Sequence, residues 1–394
     1  MPNLFMFEKP IGMRDTLPEL FRLKESVRSR MAKETKLYGY RFLDTPSLEF
    51  YETVGQVSAI KDQQLFKLLD KEGHSLVLRP DMTAPIARVA SSHLLKEGNP
   101  LRMAYSANVF RSQEKEGGRL AEFEQFGVEM IGDKTLSADA EVMTLLTGVL
   151  QAAGLSHYHI TIGHIAFVHE VLRHYGGTEE RAGVMRRYLF EKNYVGYREY
   201  VQELNLPANS QQILNKLPDL KGNEDVLDLA LELTEQNVGS TALCELKELA
   251  HMLKKAGINS HLSFDLTLVS HMDYYTGILF EVLGDHVGFP LGNGGRYNEL
   301  YRNFGQDAPA TGFGLRLDRI IEAIGAVDAE EPPLCLIYNE AGQLAAMEKA
   351  AALRAEGKAV VTQNIAGIAH LDTFTKNFTN ISYMLDAKKL GGES

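Results

Sequence analysis

The chain has 394 residues, 44% hydrophobic and 24% charged, too long for one ordinary core and composed like a folded, multi-domain protein. It holds no run of about 18 apolar residues that would span a bilayer, and its start, MPNLFMFEKP, lacks the basic-then-apolar layout of a signal peptide, so a cytoplasmic location is expected. With 52 Asp and Glu against 41 Lys and Arg the net charge is -11, which disfavours a polyanionic partner, and two cysteines, Cys244 and Cys335, are too few for a disulfide framework or a four-thiolate zinc site.

In chain order, Thr16 and Glu19 have the spacing of a capping box, Pro18 suits a first helical turn, and Leu20, Leu23, Val27, Met31 and Tyr38 recur at helical spacing as far as Gly39. From Tyr40 the period shortens. YRFLDTP is extended and closed by Pro46, and HSLVLRP, YHITIG, LSFDLTLV and GILFEVL also read as strands. Their hairpin-like or long connections predict an α+β fold, a largely antiparallel sheet flanked by helices. Between Val168 and Asn259 apolar residues recur at i, i+3 and i+4, in MRRYLFEKNY, EDVLDLALELTEQ and ALCELKELAHMLKKAG. The pattern predicts a helical insertion over 168–259 that interrupts a core made of 1–167 and 260–328. Glu330-Glu331-Pro332-Pro333 reads as a linker. LCLIY as a strand, AGQLAAMEKAAALRAEG as a helix ended by Gly357, and KAVVT as a strand then make a small C-terminal α/β domain of β-α-β form over 333–394. No internal repeat or low-complexity segment is present.

Three stretches carry more charge and glycine than a sheet core needs. In LRPDMTAPIAR, Arg79, Asp81 and Thr83 sit at a strand end. In FRSQEKEGGRLAEFEQFGVEMIG, Arg111 closes a strand, Gly117-Gly118 makes a turn, and Glu122, Glu124 and Gln125 precede Glu129. Alternation puts Phe123, Gln125 and Glu129 on one strand face and Phe126 on the other. In SHMDYYTGILFEVL and LGNGGRYNEL, Tyr274 and Tyr275 and a glycine-lined turn meet Arg296 and Tyr297. Together these residues suit a small zwitterion: carboxylates and an amide for an ammonium, an arginine for a carboxylate, tyrosines for a flat ring. The same residues also read as ordinary paired charges on solvated strands.

LRPDMTA, FRSQEKEGGRLAEFEQFGVEMIG, MDYYTGILFE, GNGGRY and GFGLRLDR resemble, in order and spacing, the class II core of histidyl-tRNA synthetase. GMRDTLPE and TPSLE resemble that family's N-terminal portion and motif 1, so the likeness covers most of residues 7 to 325. It implies that Asp81, Thr83 and Gln125 hold the amino group of histidine, that Arg111 lies near its carboxylate, and that Glu129, Tyr275 and Tyr297, with Tyr274 beside them, surround the imidazole. The family has Glu where this chain has Asp81, which is shorter by one carbon bond, about 1.5 Å.

The adenylating side departs from that family. Its arginine before the Gly-Leu-Asp-Tyr-Tyr run is replaced by Ser270, followed by His271 and Met272; the Glu-Arg-Pro of its motif 2 loop by Gln113, Glu114 and Lys115; and a further arginine by Ala121. In motif 3, Arg316 stands where a glycine makes room for nucleotide and Asp318 where a Glu stands, while Arg319 remains. Losing positioned cations from a developing phosphoryl charge typically costs several kcal/mol of transition-state stabilisation. His271, a lone histidine at a strand end, is expected to be structural and largely neutral.

A histidine pocket without adenylating groups, and a C-terminal domain shorter than the hundred or so residues of an anticodon-binding domain, is similar to the ATP phosphoribosyltransferase regulatory subunit family, whose LRPDMTA replaces the synthetases' LRPEGTA. That resemblance implies a non-catalytic subunit required by the short-form catalytic subunit in the first step of histidine biosynthesis, and feedback inhibition with histidine as effector. It implies a homodimer within a hetero-oligomer, with motif 1 at the dimer seam, and no cofactor, metal, tRNA or membrane as partner. Two other readings carry different tests: a divergent histidyl-tRNA synthetase or amino-acid ligase would exchange pyrophosphate into ATP when histidine is present, and a tRNA-sensing module would retain tRNA on a filter.

Overall fold

The structure is a computed structural model, and it describes residues 8–98, 100–112, 120–235, 237–270, 274–285, 287–325 and 332–385. The sequence motifs Gln113, Glu114, Lys115, Gly117-Gly118, His271, Met272 and Glu330-Glu331 lie outside the described residues. The chain divides into two compact units, Met1–Gly325 and Ala326–Ser394.

The first unit is built on a nine-stranded sheet. From one edge the strands run Arg41–Phe42, Leu101–Phe110, Glu122–Ile131, Ala310–Arg316, Gly292–Tyr297, Ile278–Gly284, Tyr158–His164, Leu262–Asp265 and Lys221–Gly222. The central pairs are antiparallel; Arg41–Phe42 joins Leu101–Phe110 in parallel, and Tyr158–His164 joins Leu262–Asp265 in parallel. The expected α+β class, a largely antiparallel sheet flanked by helices, is therefore what forms.

Alternation along Glu122–Ile131 sorts side chains to two faces. Phe126, Val128 and Met130 enter a core with Val142, Met143, Leu146 and Leu150 of the helix Leu136–Ala153. The helices Ile165–Gly176, Glu179–Phe190, Tyr194–Glu203, Ala208–Lys216, Asp225–Leu233 and Ser240–Lys255 occupy the stretch read as helical, and Phe167, Leu189, Tyr197, Leu227 and Leu249 join that same core. Phe123 and Ile131 face the opposite way, into a second core with Tyr105, Tyr297, Met82 and, from the short helix Thr83–Val89, Ile86. This second face, called the front below, carries the candidate site.

The first helix spans Pro18–Leu37 and buries Val27 and Met31, as the spacing predicts. The capping box does not form: Leu17 is the N-cap and no side chain caps it. Pro18, with no N–H to satisfy and φ already fixed, starts the helix, which leaves Thr16 one residue outside the capping position. A separate three-stranded sheet, Leu48–Phe50, Ser75–Leu78 and Lys67–Leu69, carries the chain from motif 1 to Asp81.

The second unit holds Leu334–Tyr338, the helix Gln343–Ala355 and Val360–Asn364, the three elements expected, with Gly357 at φ +82 just past the helix. It continues beyond the β-α-β pattern with a short helix, Leu371–Thr375, and a third parallel strand, Ile381–Met384, on the other side of Leu334–Tyr338. Those last elements are short and their residues half exposed, so they lack the apolar run that marks LCLIY.

Candidate functional site

Glu129 is the centre of a buried polar cluster on the front of the sheet. It is 2% exposed; Thr83 Oγ1 donates to its Oε1 at 2.9 Å, and the Tyr297 hydroxyl donates to its Oε2. Burial pushes its pKa up to about 8, against the two hydroxyl donors, which favour the charged form, and with Asp81 nearby, which disfavours it. The unliganded carboxyl is therefore mostly protonated at neutral pH. Directly opposite in the ladder stands Gly312, where a Cβ would overlap the Glu129 carboxylate; Gly314 leaves the same room for the Gln125 amide. The glycines of TGFG are thus spaced to admit two polar side chains that pack flat against the next strand.

Around this centre the tyrosine rings converge. Tyr274 lies 4.7 Å from Tyr275 and 5.3 Å from Tyr297 between ring centroids, and burial raises all three phenol pKa values, keeping them neutral donors and acceptors. Asn293 Nδ2 donates to the Tyr275 hydroxyl at 3.1 Å. Asp81, 1% exposed, accepts from Ser58 Oγ at 2.7 Å and from the Ala84 N–H at 3.1 Å. Gln125 Oε1 is buried and accepts no hydrogen bond among the described residues. An acceptor in that state is costly unless a donor arrives.

Asp81, Thr83, Gln125, Glu129, Tyr274, Tyr275 and Tyr297 thus line one cavity, joined by Tyr105 and Asn293. The cavity is closed to about 20 Å³, room for a single water. Arg111 lines its larger neighbour, about 430 Å³, which shares the walls at Gln125, Asn293 and Gly314. Arg111 Nε donates to the Pro80 carbonyl at 2.8 Å, and Asp81 helps to keep its guanidinium charged against burial.

The neighbouring cavity is basic, with Lys61, Arg111, Arg316 and Arg319 against Glu281. Arg316 places its guanidinium 3.7 Å from the centre of the Phe123 ring and pairs with Asp318 at 3.2 Å. Ser270 lines this cavity without charge. Ala121 is 1% exposed, its N–H donating to the Gly12 carbonyl at 2.8 Å, a packed position with no space for an arginine.

Other residues singled out in the sequence go elsewhere. Arg296 adjoins Tyr297 and so emerges on the opposite face, where it pairs with Asp139 at 2.6 Å. GNGGRY is not a turn but a strand, Gly292–Tyr297, because its glycines let neighbouring backbones approach. Glu124 faces back to Arg28 at 3.1 Å and Lys24 at 3.3 Å, and Glu122 accepts from Asn108, so for these the paired-charge reading is the right one. Arg79 is a clamp on the Asn108 carbonyl and Asp44. Sequence reasoning missed Tyr105, Asn293, Ser58 and the two glycines; the T-G-F-G alternation was the one signal available.

Comparison with known proteins follows the same lines. Residues 12–320 match the family described as histidyl-tRNA synthetase, and residues 335–386 match the C-terminal domain of the histidyl-tRNA synthetase HisZ. An ATP phosphoribosyltransferase regulatory subunit from a Geobacillus species is 55% identical over 383 residues, 97% of this chain and 98% of its own. That of Geobacillus kaustophilus is 53% identical over 391 residues, 99% of each chain. A crystal structure from Bacillus halodurans, described as an ATP phosphoribosyltransferase regulatory subunit/histidyl-tRNA synthetase, superposes with a TM-score of 0.91 at 47% identity, covering 97% of this chain and 99% of the other. On this fold, these pocket residues and these full-length relatives, the chain belongs to the family of ATP phosphoribosyltransferase regulatory subunits, built on the class II histidyl-tRNA synthetase core.

Proposed function

We propose that this regulatory subunit senses histidine in the cavity around Glu129 and passes that signal to a short-form catalytic subunit, which it also activates. The observation that carries the reading is the set of unspent groups in one place: a buried Gln125 Oε1 without a donor beside Asp81, and a protonated Glu129 ringed by Tyr274, Tyr275 and Tyr297. The first pair suits an ammonium and the second an imidazole. Arg111, at the wall toward the larger cavity, suits the carboxylate.

A cavity of about 20 Å³ does not hold an amino acid, so histidine has to open it. That requirement supports regulation. A ligand shifts an assembly only through its different affinity for two states, and a pocket closed in one and open in the other supplies that difference. The catalytic partner provides the chemistry. In this chain the larger cavity has the uncharged Ser270 in its wall, and Arg316 fills part of it, stacked on Phe123.

A homodimer is the minimal unit of this reading. The small sheet after motif 1 leaves Leu48, Phe50 and Leu68 exposed on one face, at 45%, 50% and 44%, an apolar patch that suits a symmetric seam. Neither tRNA nor a membrane belongs to the reading; no helix of the described residues is long and apolar enough to cross a bilayer.

The test is reconstitution. Added to a short-form catalytic subunit, the chain raises phosphoribosyl transfer, and histidine suppresses it. The Glu129→Ala chain still activates but no longer confers inhibition. Inhibition that persists in that variant moves the histidine site elsewhere.

A further inference from the structure

Asp81 and Arg111 are close neighbours. Arg111 Nε donates to the carbonyl of Pro80, the residue before Asp81, and while burial works against the guanidinium charge, Asp81 supports it. These are the two groups that suit opposite ends of a zwitterion, Asp81 the ammonium and Arg111 the carboxylate. Opposite charges attract strongly where water is excluded, so the two side chains compete with the ligand by pairing with each other. A pocket for a zwitterion has to hold them apart.

The hold on Asp81 has two points. Its Oδ2 accepts from Ser58 Oγ at 2.7 Å and its Oδ1 from the Ala84 N–H at 3.1 Å, so each oxygen is tied by one donor. The Ala84 N–H belongs to the first turn of the helix Thr83–Val89 and moves with the segment that carries Asp81. Ser58 lies 23 residues earlier in the chain and ties the carboxyl to a separate part of the fold.

Ser58 is itself set in place. Its N–H donates to the Val54 carbonyl at 2.8 Å, just past the short helical turn Tyr51–Gly55, and its Oγ accepts from the Ile60 N–H at 3.2 Å. Accepting there leaves the hydroxyl proton for Asp81. Val54, Gly55 and Ile60 are buried, so the segment on both sides of Ser58 is packed. A carboxylate offers about four acceptor sites, and with one used on each oxygen Asp81 still has capacity for an ammonium where it lines the pocket.

We propose that Ser58 is a positioning residue for the ammonium group of the effector: it holds Asp81 at the pocket wall and away from Arg111, and so makes the pocket select a ligand with an amino group as well as an imidazole. The inference rests on the histidine reading of the pocket and deepens it. Ser58 does not line the cavity and acts through Asp81.

The experiment compares histidine with imidazolepropionate, which is histidine without its amino group, on the full-length chain, by calorimetry and, for the weaker ligand, by ligand-detected NMR. Ser58→Ala weakens histidine roughly tenfold, the effect of one hydrogen bond to a charged group, and changes imidazolepropionate by less than about twofold. Ser58→Thr, which keeps the hydroxyl, stays within about threefold of the parent for histidine. Thermal melting checks that both variants fold. Equal weakening of the two ligands in Ser58→Ala would show that Ser58 only shapes its own segment, and unchanged histidine affinity would show that Asp81 needs no such tie. Either result overturns the proposal, as does a Thr variant as weak as the Ala variant. A wrong histidine pocket gives a different pattern, in which Glu129→Ala also leaves histidine affinity unchanged.

Discussion

The two cavities on the front of the sheet share Gln125, Asn293 and Gly314, yet they are built from opposite chemistry. In one, every polar side chain is buried against a partner or poised for one: Thr83 and Tyr297 on Glu129, Ser58 on Asp81, Asn293 on Tyr275. In the other, four cations face one carboxylate across a space about twenty times larger, and the guanidinium of Arg316 rests on Phe123. The contrast shows how two cavities that share walls come to depend on different features of the chain. The small cavity depends on strand register and on glycines that admit buried polar groups, so it stays or fails as a unit. The larger cavity depends on individual projecting side chains, Lys61, Arg111, Arg316 and Arg319 beside the uncharged Ser270, so single replacements change its chemistry without disturbing the sheet.

That contrast can be broken most forcefully at Glu129. Glu129→Ala removes the imidazole's partner and leaves Thr83 and Tyr297 facing a void; histidine affinity by calorimetry falls roughly 100-fold, as expected when a buried hydrogen bond is lost and its partners are left unsatisfied. Arg111→Ala weakens histidine as well, by roughly 30-fold. If both variants bind as the parent does, the pocket is not the sensor.

A smaller effect tests register. In Gly312→Ala the added Cβ overlaps the Glu129 carboxylate and the Val128 carbonyl, so the strand has to shift. Overpacking of this kind costs about 1–3 kcal/mol, read as a lower urea midpoint, with histidine affinity reduced alongside it. An unchanged midpoint would mean that the glycine is not needed to seat Glu129.

The protonation of Glu129 gives a third effect with a defined sign. Below pH 4.5 both folded and unfolded chains hold the proton, and the group costs nothing. Between 4.5 and about 8 the unfolded chain releases it while the folded chain keeps it, so stability falls as pH rises, by up to about 1.4 kcal/mol per pH unit, and levels off above 8. Glu129→Gln, which cannot ionise, flattens that part of the stability profile. A profile identical to the parent's would show that the carboxyl is already charged in the folded chain.

The smallest effect separates the halves. Arg316→Gly empties the face of Phe123 in the larger cavity, yet histidine affinity stays within about twofold, since Arg316 does not line the closed pocket.

Much of this was legible in the residues because strand alternation is local. EFEQFGVEM alone places Phe123, Gln125 and Glu129 on one face, and the structure keeps them there. Family resemblance was needed to bring Asp81, Tyr275 and Tyr297 to them, since contact between segments distant in the chain leaves no local trace. Arg296 was misplaced for want of one step of alternation from Tyr297. The GNGGRY strand was hidden because glycine has low strand propensity by itself. The third strand of the C-terminal unit, Ile381–Met384, is too short and too exposed to announce itself.

The central claim, an amino-acid pocket retained beside a nucleotide site that no longer works, is tested most directly by pyrophosphate exchange on the purified chain with histidine binding measured in the same preparation. The account predicts saturable histidine binding and no histidine-dependent exchange of pyrophosphate into ATP. Exchange that depends on histidine would contradict it.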